Sequence, residues 1–550
     1  MRASPWFLSR PAFSRCALLV WALCRVLTPD ASAARPNVLF IAVDDLRPEL
    51  RCYGAEYVKS PNIDRLAARG ILFERAYCQY AICGPSRASL LTGLRPDTLK
   101  IEDIDTYFRN TVPDVVTLPQ HFKANGYTAV YYGKVFHARQ EDQARSWNQR
   151  PAGTEPVHDA GGEYQLPENR ALVRERREAA LKQFGSTGID GLASGPAWEA
   201  ADRPDSDYGD GRTTDAALLA MKKLSDAGKP FFLAVGYRKP HLPFIAPKRY
   251  FDLYDAARMP LASPAHPPEG APGVALHQSF ELRTRSNIPS NGPISDELAR
   301  ELRRAYAACT SFVDAQVGRL LSRLDELGLA GNTIIVFWGD HGWHLGEQGM
   351  WGKATDYEAA TRAPLIVAAP GAEGNGRKSP ALVEFVDVYP TLCELAGLPI
   401  PASLEGTSFA PLLNAPARSW KKAAFSQFPA PALREWAARP LSTGMRRTFF
   451  GPLISAVETQ LRHEYGARHD QAAFDHDVMG YTMRTDRYRF TVWVDRRQPT
   501  GEPYSIELYD HRVDPGETRN ITAAPENAAL AADLRAQWLQ GWRMAGPERP

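Results

Sequence analysis

A cysteine at position 83 opens a segment whose residue types could support nucleophilic chemistry. The segment reads Cys83-Gly84-Pro85-Ser86-Arg87 and ends in Leu91-Thr92-Gly93. It follows a strand-like apolar run, and a thiol at a strand-to-helix turn lies where backbone N–H groups and the helix dipole favour an anion. Arg87 adds a planar cation that suits a tetrahedral oxyanion. We expect a loop near solvent here. A lone cysteine is more often a small buried hydrophobe, so the hypothesis depends on the other motifs.

Acidic and imidazole side chains follow two predicted buried strands. Asp44 and Asp45 come directly after one apolar run, and Asp340 and His341 come just after another, at residues 333–338. Open α/β sheets bring the carboxyl ends of their strands to one ligand site, where three carboxylates would repel one another without a cation. An oxygen-rich set suits Ca²⁺ or Mg²⁺ better than Zn²⁺. Each pair alone could equally cap a helix or form a turn, but both pairs with the cysteine segment predict a metal site.

Further cations and imidazoles accompany the predicted strands. Lys134 and His137 come just after one strand, His241 a few residues after the next, and Lys353 in the loop beyond Asp340. Such groups can bind an anion and move protons. Two structural interpretations stay open at this point. Lys134 could be a solvated surface lysine, and His241 could simply brace a proline-containing loop.

These motifs resemble the signature of the type I, formylglycine-dependent sulfatases. The cysteine segment carries the resemblance together with residues 43–48 (Val-Asp-Asp-Leu-Arg-Pro) and 339–347 (Gly-Asp-His-Gly-Trp-His-Leu-Gly-Glu). Within that family the chain is similar to the iduronate 2-sulfatase group at residues 133–137, 236–244 and 351–353. The similarity extends over nearly all of the sequence after the N-terminal leader.

The resemblance implies that a maturation enzyme oxidises Cys83 to formylglycine. It also implies a bound Ca²⁺, with Mg²⁺ as an alternative, held by Asp44, Asp45, Asp340, His341 and the modified Cys83. The sulfate would then be surrounded by Arg87, Lys134, His137, His241 and Lys353. In this arrangement the hydrated aldehyde supplies the nucleophilic hydroxyl. His137 is the expected base, and His241 or Lys353 the expected acid.

The same resemblance implies a sulfated sugar as substrate, such as a terminal 2-sulfated uronate of a polysaccharide. A uronate carries a carboxylate beside the sulfate, so its pocket needs a further cation. Lys239 is our candidate because it lies two residues before His241 on an extended segment, and Arg238 is a less specific alternative. One rival function is a phosphoester or phosphonate hydrolase on the same scaffold, although no second metal cluster is evident. The other rival is a non-catalytic carbohydrate-binding relative, although none of the site positions is missing.

Strand-like segments alternate with helical ones, which predicts an α/β fold with a large, mostly parallel sheet flanked by helices. The resemblance implies the alkaline-phosphatase-like form of that fold. We assign residues 35–415 to the catalytic domain and residues 416–550 to a smaller C-terminal α+β domain, whose strands follow one another as in an antiparallel meander. Residues 138–212 and 244–293 are predicted to be insertion loops that control substrate selectivity.

The leader, residues 1–34, has the composition of a signal peptide. Three arginines precede an apolar stretch that begins at Ala17, and residues 31–33 resemble a cleavage site. An uncleaved anchor is the alternative, but the stretch is shorter than the ~20 residues that span a bilayer. The sequence therefore predicts a secreted or periplasmic protein that is not integral to the membrane.

Composition excludes several other classes of protein. A formal net charge of +2 over 550 residues argues against a nucleic-acid partner. The seven cysteines are scattered without zinc-like spacing, and whether Cys52 and Cys78 pair is left open. A chain of this length must instead be stabilised by a large hydrophobic core.

Overall fold

Two β-sheets organise the part of the chain that the structure describes. The structure is a computed structural model in which residues 35–137, 141–149, 163–185, 194–435 and 444–547 are described. The predicted signal peptide lies outside these residues. These two sheets have seven and four strands, and two further sheets of the described chain have two strands each. The predicted domain boundary at residue 415 falls between the two sheets in sequence and stays a prediction.

The strands are short and regularly spaced along the chain. In order they are β1 (Asn37–Val43), β2 (Ile71–Tyr77), β3 (Thr128–Gly133), β4 (Trp198–Ala201), β5 (Phe231–Tyr237), β6 (Phe244–Pro247), β7 (Thr333–Gly339), β8 (His344–Leu345), β9 (Trp351–Gly352), β10 (Leu365–Ala368), β11 (Lys378–Glu384), β12 (Ala423–Pro429), β13 (Val478–Thr485), β14 (Tyr488–Asp495) and β15 (Ser505–Asp510).

The large sheet has the order β11-β2-β10-β7-β1-β5-β3. Its strands are parallel except β10, which runs antiparallel to both of its neighbours. Every residue of β1, β5 and β7 is buried, as expected for continuous apolar strands covered on both faces. The predicted large, mostly parallel sheet is confirmed.

The pairing of the central strands places the predicted site residues side by side. Val43 of β1 is in register with Tyr237 of β5 and with Gly339 of β7. All three strands run in the same direction, so the residues that follow them leave the sheet at one edge. Asp44 and Asp340 are therefore neighbours because of the strand register, although they are far apart in sequence.

Helices cover the faces of this sheet. Those of seven or more residues within the described part are α1 (Pro61–Ala67), α2 (Cys83–Thr92), α3 (Leu118–Ala124), α4 (Pro167–Phe184), α5 (Gly209–Asp226), α6 (Asp296–Glu326), α7 (Val388–Leu395), α8 (Gly451–Tyr465) and α9 (Ala528–Gln540). The Ser295 side chain caps α6 by accepting from the N–H of Leu298 at 3.2 Å, which fixes the start of the longest helix.

The prediction that residues 138–212 are loops is wrong for their described part. This segment contains α4, which has 18 residues, as well as β4 and the start of α5. Only Val173 and Ala180 of α4 are buried, so the apolar periodicity that identifies a helix is nearly absent from its sequence. Residues 244–293 are irregular apart from β6 and short helical turns.

The C-terminal part contains the predicted antiparallel meander. Strands β12, β13, β14 and β15 pair antiparallel in that order, and α9 packs its buried Leu534 in the same apolar cluster as Phe490. This confirms a smaller antiparallel sheet beside the large one. Among the described residues, no helix combines the length and apolar composition needed to cross a membrane.

The described cysteines all have free thiols. Cys52 is half-buried, and Cys78, Cys83, Cys309 and Cys393 are buried. The open question about Cys52 and Cys78 is thereby answered, since no disulfide joins them. The stability of this fold depends on its apolar core, as the cysteine count predicts.

Candidate active site

The ends of β1 and β7 bring the predicted acidic and imidazole residues into one buried cluster. Asp44, Asp45, Asp340 and His341 are each at most 1% exposed. The backbone N–H of Asp45 donates to Asp340 Oδ1 at 3.0 Å, and His341 Nε2 lies 3.4 Å from Asp45 Oδ1. The strand register thus produces the spatial grouping that the sequence predicts.

Cys83 joins this cluster as the first residue of α2. Its Sγ lies 3.3 Å from His341 Nε2 and 3.8 Å from Asp45 Oδ1. The residue is 2% exposed, and every residue of α2 except Gly84 is buried. The expectation of a loop near solvent is wrong because this short helix packs against the core around its whole circumference. Burial also raises the pKa of the Cys83 thiol well above its ordinary value.

Arg87, one helical turn after Cys83, ties the cluster together. Its Nε donates to Asp340 Oδ2 at 2.8 Å and its Nη2 to Asp44 Oδ1 at 3.1 Å. Its Nη1 donates to the carbonyls of Lys134 and Val135. These four bonds leave one of the five guanidinium N–H groups for a ligand, so much of the Arg87 contribution is to hold the two aspartates in place.

Lys134 and His137 follow β3 and reach the same cluster. Lys134 Nζ donates to Asp44 Oδ2 at 2.5 Å, so Lys134 is not a solvated surface lysine. A Cβ on Gly236 would lie 1.8 Å from the carbonyl oxygen of Lys134, so only glycine lets the chain pass this close. His137 Nδ1 is buried without a hydrogen-bond partner. Burial, together with the charge of Lys134, lowers the pKa of His137 well below its ordinary value.

Lys353 and His241 face the cluster from the other side. Lys353 is 5% exposed, and its Nζ donates to both oxygens of Asp45, at 2.8 and 2.9 Å. His241 Nδ1 lies 2.5 Å from the carbonyl oxygen of Leu242, so Nδ1 carries the proton there. Its Nε2 is then directed at Asp45, 3.8 Å away. His241 therefore does more than brace a loop.

Glu281 is a site residue that the sequence analysis missed. Its carboxylate lies 3.5 Å from His241 Nε2 and 3.5 Å from Lys353 Nζ. The buried Glu435 accepts from the N–H groups of Phe280 and Glu281, at 2.8 and 3.5 Å, and so fixes the turn that carries Glu281. Burial raises the pKa of Glu435 to about 8. No motif marks Glu281, because it lies in a helical turn of only four residues, Phe280–Arg283, and its partners are distant in sequence.

The structure does not support Lys239 as the residue that contacts a substrate carboxylate. Its Nζ donates to the carbonyls of His241 and Pro243, at 2.9 and 2.6 Å, and to Glu163 Oε2 at 3.3 Å. These partners use all three ammonium donors. That prediction is wrong, because Lys239 turns inward and braces its own loop. Arg238 is half-exposed and pairs with Glu163 through one nitrogen.

The donor set fits a hard divalent cation. The ligand atoms of Cys83, Asp340 and His341 lie within 4.8 Å of one another, as do those of Asp44, Asp45, Cys83 and His241. Three carboxylates give a preference for Ca²⁺ or Mg²⁺, and only the sulfur of Cys83 is a soft donor. An oxygen at position 83, as in formylglycine, would complete a hard set.

The pKa values of the neighbouring Asp44 and Asp45 are shifted in opposite directions. Burial alone would raise the pKa of Asp44, but the charges of Lys134 and Arg87 outweigh it and hold that pKa well below its ordinary value. Burial raises the pKa of Asp45 well above its ordinary value despite the charge of Lys353. A cluster of this kind can bind a cation on one side and an anion on the other.

The large, mostly parallel sheet with buried carboxylates at the ends of its central strands has the alkaline-phosphatase-like form of the α/β fold. The family model described as Sulfatase matches residues 36–398. The chain therefore belongs to the sulfatase family.

Two similar proteins are the iduronate 2-sulfatases of mouse and human. The Mus musculus protein is 34% identical over 560 residues, covering 91% of this chain and 93% of the relative. The Homo sapiens protein is 35% identical over 529 residues, covering 88% of this chain and 90% of the relative. With the family match, these similarities make this protein a sulfuric ester hydrolase similar to the iduronate 2-sulfatases.

A solved structure of a different activity shares the fold. The phosphonate monoester hydrolase SpPMH from Silicibacter pomeroyi has a TM-score of 0.65 and 25% identity, covering 93% of this chain and 96% of that one. A protein named for the hydrolysis of phosphonate monoesters therefore has a similar fold. Its sequence identity to this chain is lower than that of the two iduronate 2-sulfatases.

Proposed function

We propose that this enzyme hydrolyses the sulfate ester of a sulfated sugar, such as a terminal 2-sulfated uronate of a polysaccharide, through a formylglycine formed from Cys83. One observation carries the proposal: Cys83 Sγ lies within 4 Å of Asp45 and His341, in a cluster that also contains three cationic side chains. The similarity to the iduronate 2-sulfatases supports the substrate class, and polysaccharide degradation is the corresponding role.

The residues divide into an anion-binding group and a proton-transfer group. Lys134 and Lys353 each lie within 3 Å of a cluster aspartate, where their charges can hold sulfate oxygens and stabilise charge that develops on them. His137, with its unpaired Nδ1, is placed to take a proton. His241 presents Nε2 to the cluster and, when that nitrogen is also protonated, can give the proton to the departing sugar oxygen, with Lys353 as the alternative.

The bound groups would complete this arrangement. A divalent cation, Ca²⁺ or Mg²⁺, would be held by Asp44, Asp45, Asp340, His341 and the oxygen at position 83. Together the cation and the formylglycine supply an activated oxygen nucleophile. The chain's own part is to keep the ligands fixed, which Arg87 does through its bonds to Asp44 and Asp340.

Turnover of matched aryl esters tests the reaction class. The enzyme should hydrolyse an aryl sulfate far faster than the corresponding aryl phosphate or phosphonate monoester, and Cys83→Ala should abolish that turnover. Preference for the phosphonate ester would favour the activity of the structural neighbour. Binding of sulfated sugar without any turnover would favour the non-catalytic relative.

Peptide mapping tests the maturation of Cys83. Trypsin should release the peptide Ala76–Arg87, which contains both Cys78 and Cys83. In active enzyme Cys78 should react with an alkylating agent, whereas position 83 should be found as an aldehyde or its hydrate. Two alkylated thiols in a preparation that still hydrolyses sulfate esters would overturn the formylglycine proposal.

The proposal includes location and partners. A formylglycine-generating enzyme is the expected maturation partner, and a secreted or periplasmic location follows if residues 1–34 are a cleaved signal peptide. Sequencing the N-terminus of the exported protein should then find a start at Arg35. Retention of the intact leader on the exported enzyme would contradict this.

A further inference from the structure

A cavity of about 740 Å³ lies near the C-terminus of the described chain. Residues 95–102, which follow α2, form one side of it, and strands β12 and β13 contribute Phe425, Gln427 and Tyr481. The segment after α9 contributes Trp542 and Arg543. We call this cavity the C-terminal pocket. None of the active-site residues described above lines it.

Half-exposed aromatic rings form much of the wall of the C-terminal pocket. Phe425, Tyr481, Trp538 and Trp542 all line it and are only partly buried. The rings of Tyr481 and Trp538 have centroids 6.2 Å apart. Aromatic rings with one apolar face and one wet edge are common at binding surfaces, and their flat faces suit the C–H faces of a sugar ring.

Two exposed cations, Lys100 and Arg543, line this pocket, and Arg543 also lies 3.8 Å from Glu405 Oε1. Arg543 is exposed and stacks on Trp542 at 4.1 Å, while Arg95 stacks on the same ring at 4.6 Å. Lys100 is exposed. Both Lys100 and Arg543 have long flexible side chains that can reach an anionic substituent on a bound ligand.

The acidic residues of the pocket are already engaged by the protein. Asp97 Oδ1 accepts from Gln427 Nε2 at 2.8 Å. Glu102 pairs with Arg434 at 3.2 Å and also with Arg496. Glu405 accepts from the backbone N–H of Arg95 at 2.6 Å and from Thr98 Oγ1 at 2.8 Å. These contacts hold the three carboxylates in place, and the lining has one more cation than carboxylates, with Arg95, Lys100, Arg496 and Arg543 as the cations. The pocket therefore carries a small excess of positive charge.

The pocket is separate from the catalytic centre. Cys83 is the first residue of α2, and Arg95 lies three residues beyond its last. A helix of this length places its two ends ~15 Å apart at a rise of about 1.5 Å per residue. The pocket and the active site could thus contact different units of one long substrate.

We propose that the C-terminal pocket is a second, non-catalytic site for a sulfated sugar unit of the polysaccharide. This inference rests on the proposed function, since it assumes that the substrate is a sulfated carbohydrate. Stacking on Tyr481 and Trp538 would bind the sugar ring, and Lys100 and Arg543 would bind its sulfate. Such a site adds affinity for long chains through effective concentration and leaves small substrates unaffected.

Kinetics on short and long substrates test the pocket. The probes are a sulfated disaccharide and a long heparin oligosaccharide with the same terminal unit. Trp538→Ala and Lys100→Gln should each lower kcat/KM on the long substrate by about tenfold, the loss expected from one stacking or ionic contact. Both variants should keep the wild-type value on the disaccharide. Phe449→Ala, a 47% exposed aromatic outside the pocket, is the matched control and should change neither.

A binding measurement keeps the test independent of turnover. Cys83→Ala protein should be retained by immobilised heparin, and adding Lys100→Gln or Trp538→Ala should weaken retention without lowering Tm. If sulfate ester turnover is absent but this loss of retention is seen, the proposed function fails and the pocket stands. Unchanged retention, or equal losses on sulfated and unsulfated chains, would overturn the pocket.

Discussion

Substitution of Asp45 tests whether the buried cluster is a metal site or a set of structural ion pairs. A neutral amide is a weaker ligand for a hard cation, so Asp45→Asn should remove the bound metal and lower activity at least about 100-fold. Asp340→Asn should do the same and should also lower Tm, because Asp340 holds Arg87 and the backbone of Asp45. Elemental analysis after dialysis should find about one Ca²⁺ or Mg²⁺ per wild-type chain.

The control for the metal prediction is Asp486→Asn. The side chain of Asp486 is 80% exposed and pairs with Arg75 on the surface, so neither metal content nor activity should change. Stoichiometric zinc in the wild type, with activity unaffected by Asp45→Asn, would contradict the site as we describe it.

Glu281 gives a second prediction for a single residue. Its carboxylate contacts both Lys353 and His241, so Glu281→Gln should loosen the position of the acid and lower kcat by roughly 10- to 100-fold. KM should change less, because Lys134 still binds the sulfate. Steady-state kinetics on an aryl sulfate measures both values, and Glu281→Asp should recover part of kcat.

Glu269→Gln is a matched control for Glu281, since Glu269 lies in the same largely irregular segment, residues 244–293, with a side chain that is 75% exposed. It should leave both kinetic constants unchanged. If Glu281→Gln lowered Tm but left kcat intact, Glu281 would be a structural residue and not a positioning residue for the reaction.

At the scale of secondary-structure elements, strands were more predictable than helices with weak patterns. The continuous apolar runs of β1, β5 and β7 identify strands buried on both faces, and their ends identify Asp44 and Asp340. By contrast, α4 is polar on most of its surface, so the sequence carries little signal for it. Glu281 could not be predicted either, because a contact between a short helical turn and residues distant in sequence has no local pattern.

The loop after β5 shows how element geometry decides the role of a residue. Lys239→Ala should remove the donor that satisfies the carbonyls of His241 and Pro243 and should leave Glu163 with a weaker partner. Unsatisfied buried groups cost about 1–3 kcal/mol, so the free energy of unfolding in urea should fall by that amount. The ratio of KM values for a uronate sulfate and an uncharged aryl sulfate should stay the same.

Arg238→Ala serves as the comparison for Lys239. Its ion pair with Glu163 is half-exposed, so the loss of stability should be below about 1 kcal/mol. A selective rise in KM for the uronate with Lys239→Ala, at unchanged unfolding free energy, would restore Lys239 as a substrate contact and contradict the bracing role.

At the scale of the whole molecule, a buried ion network joins the catalytic segment to the C-terminal sheet. Arg489 of β14 is 1% exposed, and its Nη1 donates to the carbonyl of Asp356 at 2.8 Å. Its other nitrogens pair with Glu358 and Glu517. Glu358 lies only five residues after Lys353, so the network links the position of an active-site loop to the C-terminal part.

Arg489→Ala should therefore destabilise the enzyme as a whole. Removing Arg489 takes a shared counter-charge from the buried Glu517 and the partly buried Glu358, although Arg484 still pairs with Glu358 and His511 with Glu517. The loss of stability should therefore lie near the lower end of the range for a broken buried ion pair, about 3 kcal/mol. The neighbouring Arg487 pairs with Asp510 at the surface, and Arg487→Ala should shift the unfolding midpoint little. We expect the wild type to unfold in urea in one cooperative transition, with loss of aryl sulfatase activity at the same midpoint, and Arg489→Ala to lower that midpoint for both signals. Two separate transitions, with activity retained after the C-terminal part unfolds, would contradict this coupling and favour independent domains on either side of residue 415.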